Sequence, residues 1–164
     1  MNKAFFKIQI LFIFATVLLL SSCGFHLKGD MSIKSNYESV VIHNDNAAQI
    51  SALLSQSLQE KSVRVSRQIK TNSLQIFLRH ENIKQRSVAI RNQENKAYEM
   101  ELSIYLTIKD AQGNSLRDEQ RLSSSRVYPY NSSQVLSSVN EENILHKELK
   151  GLIVNKILYI LDSL

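Results

Sequence analysis

The 164 residues contain one proline, four glycines and a single cysteine. So little glycine and proline excludes a collagen-like repeat, a low-complexity chain and a long flexible linker. One thiol cannot form an intramolecular disulfide, and no C-x-x-C, H-E-x-x-H or G-x-S-x-G motif occurs. The four histidines, His26, His43, His80 and His146, are scattered along the chain. A zinc site needs three or four converging ligands, so neither a metal nor a cofactor is expected. Carboxylate pairs such as Glu99 and Glu101 fall on what reads as the wetted face of a strand, where charge is simply solvated. The chain is therefore not expected to be an enzyme. Its length suits one domain with a real core, and no internal repeat is present.

What the chain does have begins at its N-terminus. Lys3 and Lys7 precede a stretch from Ile8 to Leu20 that is apolar except for Gln9 and Thr16, and Ser21 and Ser22 close it. A basic start, an apolar run and a small-residue end are the three parts of a secretory signal. The alternative is a transmembrane anchor, but a span needs about 20 apolar residues and this run is shorter. Leu20-Ser21-Ser22-Cys23 resembles the bacterial lipobox, in which the cysteine sulfur takes a diacylglyceryl group and becomes the new N-terminus after cleavage. A small buried core cysteine is the competing reading, but Cys23 lies outside any core pattern. Two or more acyl chains anchor stably where one does not, so Cys23 is expected to be lipidated. Residues 1–22 then form the signal, 23–39 a lipidated tether and 40–164 the folded domain. Gly24 stands where an Asp often marks inner-membrane retention, which resembles an outer-membrane address.

Within the domain, Val40-Val41-Ile42 predicts a first strand. Asn44-Asp45-Asn46 offers N-cap side chains to a helix over about 47–60, whose Ile50, Leu53, Leu54 and Leu58 form one stripe. Val63 and Val65 suggest a short strand. From Leu74 the period changes to two: Leu74, Ile76 and Leu78 alternate with polar neighbours or Phe77, and Val88 and Ile90 form a further alternating pair. The clearest run places Tyr98, Met100, Leu102, Ile104, Leu106 and Ile108 on one face and Glu99, Glu101, Ser103, Tyr105, Thr107 and Lys109 on the other. Asn92–Asn95 and the stretch 110–114 supply turn residues. A last strand over about 115–127 is rich in Ser and charge, which suits a sheet edge, and Pro129 and Asn131 should end it. Ser138 and Glu141 fit a capping box for a C-terminal helix, a start a few residues earlier being the alternative, with Leu145, Leu149, Leu152, Ile153, Ile157, Ile160, Leu161 and Leu164 on its apolar side. Gly151 within it has no sequence rationale.

Two helices with one apolar stripe each and a sheet with one apolar face are satisfied when both helices cover that face. The expected fold is an α/β two-layer sandwich, two helices on one face of a mostly antiparallel, mixed sheet of about four strands. Its order is β-α-β-β-β-β-α, give or take a strand. Between Arg79 and Lys96 the chain carries Arg79, Lys84, Arg86, Arg91 and Lys96 against only Glu81 and Glu94. Arginine forks match phosphate oxygens, although on composition alone an ordinary solvated surface is the simpler account of such a run. For an exported lipoprotein the natural anionic ligand is a phosphorylated glycolipid, and no nucleic acid is expected.

The stretch 23–29, Cys-Gly-Phe-His-Leu-Lys-Gly, resembles the opening of mature LptE, the lipopolysaccharide-assembly lipoprotein once called rare lipoprotein B. Residues 91–100 resemble that family's hairpin and long strand, and Gln134 with Glu142, Leu145 and Glu148 its C-terminal helix. The resemblance implies a non-catalytic outer-membrane lipoprotein that plugs the LptD β-barrel, helps it assemble, and binds lipopolysaccharide for delivery to the outer leaflet. It places Arg91 at the family's basic ligand-binding position, and Arg86 and Lys96 of the same basic run are expected to support it. A second basic position near Ser138 and Val139 is uncharged here. A structural envelope lipoprotein with no glycolipid ligand is the other function class the residues allow.

Overall fold

The computed structural model describes residues 36–88, 96–130 and 135–164. Period-two alternation decides the sheet. Strand β4 (Lys96–Lys109) turns Met100, Leu102, Ile104, Leu106 and Ile108 to one side, each at most 2% exposed. Its neighbours are β3 (Ser73–Val88) and β5 (Ser115–Tyr130), both antiparallel to it. On the far side of β3 lie β1 (Ser39–Asp45) and the two-residue β2 (Val65–Ser66), and β1 runs parallel to both of its neighbours. The order across the sheet is β2-β1-β3-β4-β5. The sandwich and the mixed sheet are as expected, with five strands in place of about four. Ser39 opens β1, and Tyr37 packs against the core.

Both helices cover one face. Ile50, Leu54 and Leu58 of α1 (Ala48–Glu60) and Leu149, Ile153, Ile157 and Leu161 of α2 (Val135–Asp162) join Leu74, Ile76, Leu78 and the apolar row of β4 in a single cluster. Each such leucine or isoleucine contributes about 1.5–3 kcal/mol by leaving water. Val154 and Leu158, absent from the predicted stripe, are buried as well, so the apolar side of α2 is broader than its spacing indicated.

Four local expectations are corrected. Asn44 and Asp45 belong to β1, and Asn46 sits in the left-handed region at φ 57°, so the N-cap of α1 is Ala47, with no side-chain cap. The helix instead closes firmly at its other end. The N–H of Val63 bonds Leu58 O and that of Ser62 bonds Gln59 O, with Ser62 at φ 60°. That is a Schellman closure, and its hydrophobic contact joins Val63 to the core. Second, β3 runs as one strand from Ser73 through Val88, so the alternating run at Leu74–Leu78 and Val88 belong to the same strand. Its register shifts between Arg79 and Asn82, and His80 adopts φ 55°. A bulge there inverts the alternation: Leu74, Ile76 and Leu78 face the helices before it, whereas Ile83 and Gln85, opposite Leu102 and Met100, do so after it. Third, Pro129 lies inside β5, which runs to Tyr130. β5 is the edge strand, where a residue without an N–H is tolerated. Fourth, α2 begins at Val135, the earlier start that the sequence left open, so Ser138 is not its cap.

The turn over 110–114 forms as its residues dictate. The Asp110 carboxylate accepts the backbone N–H groups of Gln112 at 2.9 Å and Asn114 at 2.8 Å, and the Asn114 side-chain amide at 2.7 Å. Gly113 supplies the positive φ of 91°. These donors, Asn114 first, hold the Asp110 carboxyl below its ordinary pKa. Gly151 is different, since a Cβ there would meet nothing within 4 Å. No close approach among the described residues requires the glycine, so Gly151→Ala should stabilise the domain by about 1 kcal/mol through helix propensity. A urea titration showing a lower midpoint for that variant would contradict this.

Candidate functional site

No described helix packs on the other face of the sheet. Along β3, β4 and β5 this face carries a chain of cross-strand ion pairs. Arg86 Nε stands 2.7 Å from Glu99 Oε2, Arg121 Nη2 stands 2.8 Å from Glu101 Oε1, and Arg79 Nη1 lies 3.6 Å from Glu119 Oε2. Register explains the first, since Arg86 lies directly opposite Glu99 across the β3–β4 ladder, whereas Arg121, opposite Tyr105, reaches Glu101 along the face. The hydrogen bond from Arg86, followed by that of the Ser125 hydroxyl, holds the Glu99 carboxyl below its ordinary range. The bond to Glu99 raises Arg86 in turn. Arg121 does to Glu101 what Arg86 does to Glu99. Surface pairs of this kind contribute little stability, and they set charge balance more than fold.

The residues predicted to bind ligand are distributed unevenly. Arg86 is on this face, its side chain 72% exposed but engaged by Glu99. Lys96 opens β4 opposite Tyr130, and its side chain lies outside the described residues. Arg91, the centre of the predicted site, and Cys23, the predicted lipidation site, also lie outside them. The cation surplus counted between Arg79 and Lys96 is reduced in the fold, because Glu99 and Glu119 come from other strands to meet Arg86 and Arg79.

Nearer β1 the same face has a feature that sequence reading missed. The His43 ring stacks on Phe77 at 4.4 Å between centroids and 10° between planes, and its Nε2 lies 3.2 Å from Gln75 Oε1. Arg79 and Lys109 stand 5.9 and 5.5 Å from the Phe77 centroid, within cation–π range. A cleft of about 300 Å³ beside this pair is lined by His43, Asp45, Phe77, Arg79 and His80. The available signal was aromatic residues, Phe77 and Tyr105, at positions of the polar alternation. Among the described residues no three His, Cys, Asp or Glu side chains are grouped to hold a metal ion.

Under the helices, where β3, β5 and α2 meet, a polar network stands at the rim of the core. The Gln85 side-chain amide donates to the Tyr128 hydroxyl, which donates to Glu142 Oε1 at 3.2 Å. Burial, with the Glu142 carboxylate next in weight, pushes the Tyr128 phenol up to about 12. A second concavity, about 540 Å³, runs between α1 and α2 and is lined by Leu53, Lys147, Gly151 and Val154 among others. Among the described residues no helix is long and apolar enough to cross a membrane.

No family model matches the sequence, and no curated protein matches it. Solved structures do. Lipoprotein B from Nitrosomonas europaea superposes with a TM-score of 0.67 at 20% identity, over 82% of this chain and 88% of that one. The rare lipoprotein B of Shewanella oneidensis gives 0.65 at 13% identity, over 76% and 94%. The chain has the fold of rare lipoprotein B. A minor lipoprotein from Acinetobacter baumannii matches the same fold at 0.65 and 15% identity, over 77% and 92%. The LptE-like architecture implied by residues 23–29 is thus the one observed, and these lipoprotein B neighbours share it at identities that speak to fold alone.

Proposed function

We propose that the chain is an outer-membrane lipoprotein of LptE type, a non-catalytic subunit lipidated on Cys23. It seats as a plug in an LptD-like β-barrel, helps that barrel assemble, and binds lipopolysaccharide through Arg91, with Arg86 and Lys96 beside it. The observation that carries this reading is the rare lipoprotein B fold under a sequence that opens, from Cys23 to Gly29, like a mature lipoprotein of that family. The ion-paired face of the sheet supports it, because the lumen of a large barrel is polar and a plug must meet it with polar surface. In this reading Arg86 exchanges Glu99 for a lipid phosphate.

One observation favours the second reading, a structural envelope lipoprotein with no glycolipid ligand: the hairpin cations Arg79 and Arg86 already have carboxylate partners. The two readings separate experimentally. Purification from detergent-solubilised outer membrane should retain a large barrel partner. Arg91→Asp should weaken lipopolysaccharide binding by about tenfold or more, since one charge-assisted hydrogen bond contributes about 1.5–3 kcal/mol. Barrel retention with unchanged lipopolysaccharide affinity in that variant would remove the glycolipid site from Arg91.

A further inference from the structure

The outermost strand, β5, is 16 residues long and lies at the edge of the sheet. An edge of that length presents a row of unpaired backbone groups to any other strand. Three features interrupt the row. The first is near the start. Leu106 pairs with Gln120 and Ile108 with Arg117, so β5 advances three residues while β4 advances two. That bulge confines the regular edge to Gln120–Tyr130. The second lies in the middle. The Lys156 ammonium, on α2, donates to the carbonyl of Ser123, and Arg126 Nη1 donates to the carbonyl of Ser125 at 3.4 Å. Arg126 is held in place by Glu148 of α2, with Nε 2.8 Å from Oε1. The third is Pro129, which has no N–H.

The proline also gives the direction of the row. Pro129 pairs with Ala97, and the register from Tyr130 back to Gln120 is unbroken. A proline is tolerated in a strand where its nitrogen points away from the ladder. The backbone groups of Arg121, Ser123, Ser125 and Val127, at the same parity, therefore point outward too. The two carbonyls that receive Lys156 and Arg126 belong to that outward row. Across them the side chains are small, Ser123-Ser124-Ser125. A twofold axis at Ser124 would set Ser123 against Ser125 of a second copy, and 60%-exposed Val127 against Arg121. Without the two cations this is a self-complementary edge.

We propose that Lys156 and Arg126 guard the edge of the sheet, capping outward carbonyls of β5 so that a second copy of this chain cannot pair there. The test is the molar mass of the full chain in excess detergent, by light scattering with the micelle subtracted. The unaltered chain should stay at one copy per particle. Lys156→Met with Arg126→Met keeps the aliphatic bulk, removes both donors, and should double the protein mass as concentration rises. Slowed amide exchange at Ser123, Ser125 and Val127 should accompany the doubling. Adding Ser125→Pro to that variant should return it to one copy, which aggregation of an unfolded chain would not do. If the double substitution compromises folding, Lys156→Met alone breaks none of the ion pairs among the described residues and should dimerise at higher concentration. A folded variant that stays single, a dimeric unaltered chain, or a dimer indifferent to Ser125→Pro would each overturn the proposal.

Discussion

Leu106→Ala is expected to lower the unfolding free energy by about 3 kcal/mol. Leu106 is completely buried, sits opposite Leu78 in the β3–β4 ladder, and belongs to the cluster shared with both helices. Protein interiors are packed near crystal density. Removing the isobutyl group therefore loses its transfer free energy and also leaves a cavity that a sheet pinned on both sides of β4 can close only partly. For a domain whose whole stability is about 5–15 kcal/mol, the loss is a large share. The neighbouring residue supplies the control. Tyr105 points to the other face and is 37% exposed, so Tyr105→Ala should cost less than about 1 kcal/mol. Urea denaturation with an unchanged slope would read both differences. Equal costs at 105 and 106 would mean that the two faces of β4 are not differentiated as described.

That contrast is also the part of the fold most legible in the sequence. Strict alternation over Tyr98–Ile108 left one assignment of faces, because a one-residue slip would turn every leucine and isoleucine outward. The stripe Ile50, Leu53, Leu54 and Leu58 placed α1 with similar force, although Leu53 is 38% exposed while the other three are buried. What could not be read was β3 beyond Arg79. The bulge at His80 changes the phase of the alternation, and the strand past it extends to where both faces are wet, so residues 82–87 are exposed on either parity. A strand with neither face buried has no hydrophobic period to find. The proline in β5 misled for a related reason: only the position of β5 at the sheet edge, a property of topology, makes Pro129 compatible with a strand.

Charge was legible in number and not in neighbourhood. Counting cations along Arg79–Lys96 is a one-dimensional operation, whereas Glu99 and Glu119 arrive beside Arg86 and Arg79 from strands further along the chain. The same limit concealed the Phe77 cluster, whose members His43, Arg79 and Lys109 come from three strands. Composition and motif gave the class of the protein. Pairing register gave the electrostatics of its face.

The second large effect is expected at Lys150, where that register meets the helices. Its ammonium stands 3.4 Å from Glu81 Oε1, with side chains only 10% and 15% exposed, and it also donates to the Gln49 side-chain oxygen. Glu81 follows the bulge residue His80, and its backbone N–H bonds Asn46 O at 3.1 Å. One buried cation thus joins α2, the start of α1 and the bulge of β3. Lys150→Met should cost about 3 kcal/mol, because it strands a partly buried carboxylate whose desolvation is no longer offset. Replacing both partners, Glu81→Leu with Lys150→Met, should recover most of that loss, since an apolar pair of similar volume removes the desolvation penalty together with the attraction. The double-mutant cycle separates the two contributions. A structural role in aiming the β3–β4 ribbon predicts one further difference. Amide exchange in residues 82–87 should quicken in Lys150→Met beyond what global destabilisation accounts for, because the pair is what fixes the bulge, and hence the strand bearing Arg86, against the helices.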